Sequence, residues 1–367
     1  MLNRATRLLL LGFLLIAPAT LAADEKGKPV AEWKDVPDEW FTSDEGKLVI
    51  TNIISWQHSS GGWYKTYNTL KPKPADYAPT NHPLAMQGDN ADVWARSGTI
   101  DNDATYTELR LLARAVHLTK REDALASFNK GLQFLFDAQY SNGGFPQRYP
   151  LPKNYGRHIT FNDGAMVGVM KLLKDASTGA GDFDFLTPEM QKKCGERFTR
   201  GVDCLVKLQI KRDGKLTVWG QQHDPETLAP ASARTYELPS YCSTESTGIT
   251  QLLMQIENPS DEVKAAVNGA VAWFESTKIP GKRYDKLSGP QYEKGFERRV
   301  VDDPASNLWA RFYDLENVKP LFVDRDGSIH TDVQELGYER RTGYAWYSSS
   351  PNSVLKAYPK WKAKNGG

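Results

Sequence analysis

A glutamine followed by a glycine-containing turn and an aromatic or apolar stretch recurs along the chain, in NIISWQHSSGGWYKTY (52–67), FLFDAQYSNGGFPQRY (134–149) and CLVKLQIKRDGKLTVW (204–219). Gln57, Gln139 and Gln209 are about 70 to 80 residues apart, room for one helical hairpin per repeat. The intervening segments carry helical stripes. Leu125, Phe128, Leu132, Leu135 and Phe136 recur at three and four, as do Cys194, Phe198, Val202 and Leu205 after a Thr187-Pro188 start, and Val263, Val267, Ala270 and Trp273 after Ser260. Strand-like runs are short and lie near the turns. Paired helices repeating around a centre predict a mainly α fold, an α/α toroid or partial α/α barrel whose loops at one end carry the site. A two-domain helical protein is the competing arrangement; with no long linker between residues 46 and 350, one domain over 46–367 is favoured.

The ends of the chain differ from this pattern. Arg4 and Arg7, an apolar run from Leu8 to Ile16 and small residues ending at Ala22 or Ala23 have the form of a secretory signal peptide over 1–22. The apolar run is roughly half the ~20 residues a spanning helix needs. A secreted or periplasmic protein without a membrane anchor is expected. Removing residues 1–22 takes away two arginines and no acid, leaving 44 basic against 45 acidic residues, a net charge of −1. General attraction to nucleic acid or anionic lipid is therefore not expected, and a polyanionic partner must be recognised locally. Residues 23–45, charged and proline-containing, read as an N-terminal arm. Of the 3 cysteines, Cys194 and Cys204 are ten apart on one expected helix, about 15 Å and too far to bridge. Cys204 with Cys242, or three buried thiols, both remain open.

Each repeat ends in a polar cluster at the start of the next inner helix: TIDNDAT (99–105), ITFNDGAM (159–166) and YCSTES (241–246). Asn and Asp cap helices for stability alone. Capping needs a single side-chain oxygen, whereas Asp101, Asn102 and Asp103 stand in a row. Carboxylates and amide oxygens converging on one mouth would suit a hard cation such as calcium. Zinc is disfavoured, because the histidines at 58, 82, 117, 158, 223 and 330 show no ligand spacing and HExxH is absent. P-loop, dinucleotide and GxSxG signatures are absent too. DRDGSIHTDVQE (324–335) has acids at several calcium-loop positions, but its glycine is misplaced and it reads as a hairpin turn.

Arg148, Arg234, Arg311 and Arg325 lie in turns or helix ends beside aromatics or prolines. Each could form a structural ion pair. Gathered on one wall they would instead clamp the carboxylates of a polymer. The 10 tryptophans and 16 tyrosines serve either as core or as sugar-stacking platforms.

TIDNDAT, GGFPQRYP, ITFNDGAM, WGQQHDP with ARTYELPS, and WARFYDLE with PLFVDRDG followed by YERRTGYAWY, in order from about residue 50 to 350, resemble the polysaccharide lyase family 10 pectate lyases. The resemblance implies an (α/α)3 toroid with short β segments in its loops, calcium dependence, and endo-cleavage of α-1,4-polygalacturonate by β-elimination. It implies that Asp101, Asn102 and Asp163 hold or neighbour the calcium, that Arg234 is the base, and that Arg311 and Arg325 bind uronate carboxylates, with Arg148, Gln222 and His223 near the substrate. A monomer is expected. Gly164, where relatives often have a polar residue, and Phe145 in place of a Trp depart from the pattern. A glycoside hydrolase using Asp163 with Asp101 or Glu245, and a non-catalytic pectate-binding protein, are the alternatives.

Overall fold

The computed structural model describes residues 28–77 and 97–366; the expected signal peptide and His82 lie outside them. Helix α1 (Asp44–Ser55) precedes three helical hairpins. These are α2 (Tyr106–Thr119) with α3 (Glu122–Ala138), α4 (Ala165–Thr178) with α5 (Pro188–Leu208), and α6 (Ser243–Met254) with α7 (Asp261–Thr277). A short α8 (Tyr338–Gly343) and α9 (Pro351–Asn365) follow. Helices α2, α4, α6 and α9 touch in series and form the inner layer, while α1 against α3 and α5 against α7 form the outer one. The mainly α, (α/α)3 class expected from the sequence is the one observed. Among the described residues no helix is long and apolar enough to cross a membrane.

The stripes account for the packing. Phe128, Leu132 and Leu135 of α3, and Cys194, Cys204 and Leu205 of α5, are fully buried. They belong to an apolar core that runs from Val30 to Trp361, with a smaller cluster around Tyr236, Phe312 and Trp346. Of the outer helices, α1, α5 and α7 begin on ordinary caps: Ser43, Thr187 and Ser260 accept from the backbone N–H of Gly46, Met190 and Val263.

The repeated glutamines are latches. Gln57 Nε2 donates to the Gly61 carbonyl of its own turn at 2.7 Å and to Ser127 of α3 at 2.9 Å. Gln139 does the same with Gly143 and with Arg197 of α5 (3.0 and 2.9 Å), and Gln209 with Thr217 and with Ala266 of α7 (2.8 Å each). Each thus ties one turn to the next outer helix, satisfying buried carbonyls that helix packing leaves over. Tryptophan indoles repeat a second tie, Trp63 to the Ile53 carbonyl, Trp219 to Leu205 and Trp309 to Phe274, at 2.7 to 2.8 Å. The last of these marks a fourth turn, one that the glutamine spacing does not reveal.

Three features go beyond or depart from the sequence reading. Residues 30–42 of the expected arm form two 3-10 helices, Val30–Trp33 and Asp38–Thr42, whose Trp33 and Phe41 are 2% exposed. Strands are not all short, because Ile279–Ser288 and Phe296–Ala310 form a long antiparallel hairpin. Its charges, Pro280 and partly exposed faces give no clean alternation, so the sequence pattern hides it. Cys204 and Cys242 are not bridged; Cys194, Cys204 and Cys242 are all buried free thiols. The DRDG segment is a hairpin turn, as expected, joining strands Phe322–Val323 and Ile329–His330.

Candidate functional site

The inner helices α2, α4 and α6 begin differently from α1, α5 and α7. None of α2, α4 and α6 has a side-chain cap, so the polar clusters that precede them are not spent on capping. Instead the backbone turns through left-handed conformations at Asn102 (φ 51°), Asp103 (φ 62°), Thr105 (φ 69°) and Asp163 (φ 50°). Non-glycine residues held there cost on the order of 1 kcal/mol or more each, a strain that the surroundings must impose. At α2 the constraint is visible: Thr105 Oγ1 accepts from the Trp63 N–H at 3.0 Å and donates to the Thr99 carbonyl at 2.7 Å.

Asn162 joins the three starts. Its Nδ2 donates to Asp101 Oδ1 at 3.1 Å and to Asp163 Oδ2 at 2.9 Å. Its Oδ1 accepts from Gln221 and, at 3.4 Å, from Arg311 Nη2, which also grips Glu245 at the head of α6. Glu245 accepts in addition from the Cys242 thiol at 2.8 Å. One amide and one guanidinium therefore fix the relative positions of all three helix starts.

The two aspartates differ in charge environment. Burial acts to raise Asp101, but the Lys65 ammonium, with help from Arg148 and the Asn162 amide, outweighs it and holds the carboxyl below the usual range. Asp163 goes the other way, because burial, aided by the nearby charges of Glu245 and Asp101, exceeds the pull of Arg311.

The donor set here is two carboxylates and an amide oxygen, hard ligands of the kind calcium accepts. A positive charge already sits among them: Lys65 Nζ hydrogen-bonds Asp101 and lies 3.3 Å from Asn102 Oδ1. Among the described residues no cluster of three or more His, Cys, Asp or Glu could by itself enclose a metal. Two carboxylates and an amide could hold a hard cation only as an open site, completed by oxygens from outside the protein.

Across a cleft of about 300 Å³ stands a wall of arginines. Tyr236 is its hub, with the guanidinium carbons of Arg234, Arg325 and Arg340 at 4.9, 4.7 and 4.2 Å from its ring. Arg234, its side chain 41% exposed, is gripped by Glu237. Burial opposes its charge, but the Glu237 contact dominates and the guanidinium is held above its ordinary range. Arg325, 52% exposed, pairs with Glu339 at 2.8 and 3.0 Å and donates to the Tyr236 hydroxyl at 2.7 Å.

Arg340 is the member that sequence reasoning missed. It is buried, stacks also on Tyr344 (4.0 Å) and Trp346 (4.5 Å), and donates Nε to the Val323 carbonyl at 3.2 Å. Burial lowers its pKa and its Nη2 has no partner, leaving an unspent donor beside the cleft it lines. Its only sequence signal is its place among the aromatics of YERRTGYAWY.

Asp101, Asn102, Asp163, Gln222, Arg234 and Arg325 line this cleft, as do Lys65, Gln147, Tyr155 and Glu237. Three other expected residues do not. Arg311 is 6% exposed and spent on Glu245, Asn162 and Asp163 behind the acidic corner. Arg148 is buried beneath, where its charge acts on Asp101. His223 is fully buried, Nε2 accepting from the Gly220 N–H at 3.0 Å and Nδ1 within 2.9 Å of the Leu228 carbonyl; burial lowers its pKa to about 4, so it is a neutral brace of its own turn. At Gly164 a side chain would meet nothing within 4 Å, so the departure leaves open space beside Asp163.

Comparison with known proteins follows the same lines. The family model described as pectic acid lyase matches residues 57–355. A family 10 polysaccharide lyase from Cellvibrio cellulosa is 30% identical, with a TM-score of 0.73, over 90% of this chain and 96% of that one. A mutant of such an enzyme from the same organism, in complex with trigalacturonic acid, is also 30% identical with a TM-score of 0.73, over 92% and 98% of the two chains. No curated protein matches.

Proposed function

Since the chain belongs to the pectic acid lyase family and is a lyase, we propose that it cuts α-1,4-polygalacturonate within the chain, by calcium-dependent β-elimination, to 4,5-unsaturated oligogalacturonates. The observation that carries this reading is the facing of two surfaces across one small cleft: an acidic and amide corner of Asp101, Asn102 and Asp163 opposite Arg234, Arg325 and Arg340. The first suits a hard cation and the second suits uronate carboxylates.

Asp101, Asn102 and Asp163 would hold the ion. Calcium, when bound, supplies positive charge that stabilises the uronate carboxylate as the C5 proton is lost. Arg325 fixes a neighbouring sugar, with buried Arg340 bracing the Tyr236 ring beside it, so that the reacting ring is oriented before the proton moves. Arg234 takes the C5 proton. The C5–H electron pair becomes the C4–C5 double bond, the C4–O bond breaks, and the departing oxygen takes a proton from water. A guanidinium holds its proton far into the alkaline range, so this role requires Arg234 to lose the Glu237 carboxylate and to be crowded by the neighbouring positive charges, and it favours alkaline conditions. We also read residues 1–22 as an export signal and the working unit as a monomer.

Hydrolysis would need one protonated and one ionised carboxyl flanking the bond. Glu245 is buried against Arg311 and Cys242 and does not line the cleft, which removes it as a partner for Asp163. The test is ultraviolet absorbance during digestion of polygalacturonate. The expected result is a rising signal from unsaturated ends that a chelator abolishes and added calcium restores; reducing ends appearing without absorbance would establish hydrolysis instead.

A further inference from the structure

The cation in the acidic corner belongs to the chain itself. Lys65, just after the Gly61-Gly62 turn, places its ammonium on Asp101 and near Asn102 Oδ1, two of the three oxygens read above as calcium ligands. The pair is shielded, with the lysine side chain 17% and the aspartate 4% exposed. Asp101, Asp163 and Glu245 bring three negative charges to this corner, and Lys65, Arg311 and Arg148, whose charge reaches Asp101 from beneath, bring three positive ones, so the local sum is zero. A divalent ion alone would leave the corner with two uncompensated positive charges. Each uronate carboxylate that arrives with the ion offsets one of them.

We propose that Lys65 is a tethered counter-ion that occupies the Asp101–Asn102 corner in the free enzyme and makes calcium binding conditional on a uronate chain. The inference rests on the calcium reading of the site. Lys65 acts here as a positioning residue: in the free protein it neutralises Asp101, and when a polygalacturonate chain enters, a substrate carboxylate offers the ammonium another partner. Coupling of this kind is reciprocal, so calcium raises affinity for the uronate chain by the same factor that the chain raises affinity for calcium.

The experiment is calorimetric titration of chelator-treated enzyme with calcium, alone and with trigalacturonic acid, for wild type, Lys65→Met and Lys65→Gln. Both variants remove the charge; Lys65→Gln keeps a hydrogen-bond donor for Asp101 should Lys65→Met fold poorly. A single positive charge a few ångströms from a divalent ion opposes its binding even at water-like screening. Calcium alone is therefore expected to bind the variants at least about tenfold more tightly than wild type. The enhancement given by trigalacturonic acid is expected to shrink by a similar factor. In the absence of metal the variants should melt below wild type, because Asp101 loses its partner, and calcium should raise their Tm by more than it raises that of wild type. Calcium affinity unchanged or weaker in folded variants, with wild type still binding calcium beside trigalacturonic acid, overturns the counter-ion role alone. Absence of calcium binding in every protein, with or without trigalacturonic acid, overturns the calcium site itself and the inference with it.

Discussion

Glu237 holds Arg234 through both backbone and side chain: its carboxylate accepts from the Arg234 amide N–H at 3.2 Å, from Nε at 2.8 Å and from Nη2. The residue assigned to take a proton is thereby kept protonated in the free enzyme, and this contact sets the pH at which it could work. Arg234→Lys should abolish turnover while oligogalacturonate binding persists, because the charge stays but the planar fork is lost. Glu237→Gln removes the main influence raising the Arg234 pKa, so the rising limb of kcat/KM should move to lower pH. Near-normal turnover in the first variant, or an unmoved limb in the second, places the base elsewhere.

Arg311 and Arg325 are alike in sequence setting but not in use. Arg325→Met should raise KM for oligogalacturonates about tenfold, the loss of a charge-assisted hydrogen bond, with little change in Tm because its Glu339 partner is exposed. Arg311→Met strands the buried Glu245 and should destabilise the fold by about 3 kcal/mol or more, read by denaturant unfolding. A stable Arg311→Met protein with only a KM defect would show that Arg311 reaches substrate.

Glu108 makes stability depend on pH. It is 1% exposed, accepts from the Tyr67 hydroxyl at 3.1 Å, and its Oε2 has no partner. Burial pushes its pKa from the ordinary 4.5 up to about 8. The unfolded chain therefore releases this proton before the folded one does, the folded state binds more protons between those values, and stability falls as pH rises through that window. Glu108→Gln should remove this slope, gaining more than about 1 kcal/mol over wild type at about pH 9 relative to about pH 5 in denaturant titrations. Parallel curves for the two proteins would refute it.

The helical hairpins were legible because apolar stripes and Ser43-, Thr187- and Ser260-type caps are local signals that tertiary contacts reinforce. The recurrence of Gln57, Gln139 and Gln209 was legible as a pattern, though not its purpose, since their partners Ser127, Arg197 and Ala266 are brought near only by folding. In the candidate site, Asp101, Asn102 and Asp163 stood out by position and oxygen chemistry. Lys65 and Arg340 did not, because a lone lysine or arginine carries no period, and its significance arises from neighbours 36 residues away at Asp101 or far off at Tyr236. The separation of exposed Arg325 from buried Arg311 was likewise invisible, because it depends on Glu245 arriving from another helix.

The missing caps at α2, α4 and α6 have a consequence for how such a protein fails. Each hairpin contributes one corner of the reaction centre, and Asn162 and Arg311 are the rivets between corners. Loosening any one hairpin would therefore dismantle the centre while the other two kept their helices. Catalysis becomes the most fragile property of the molecule, lost by slight fraying well before the fold melts. Selection for activity in a harsh medium would then act on the seams between hairpins rather than on the core.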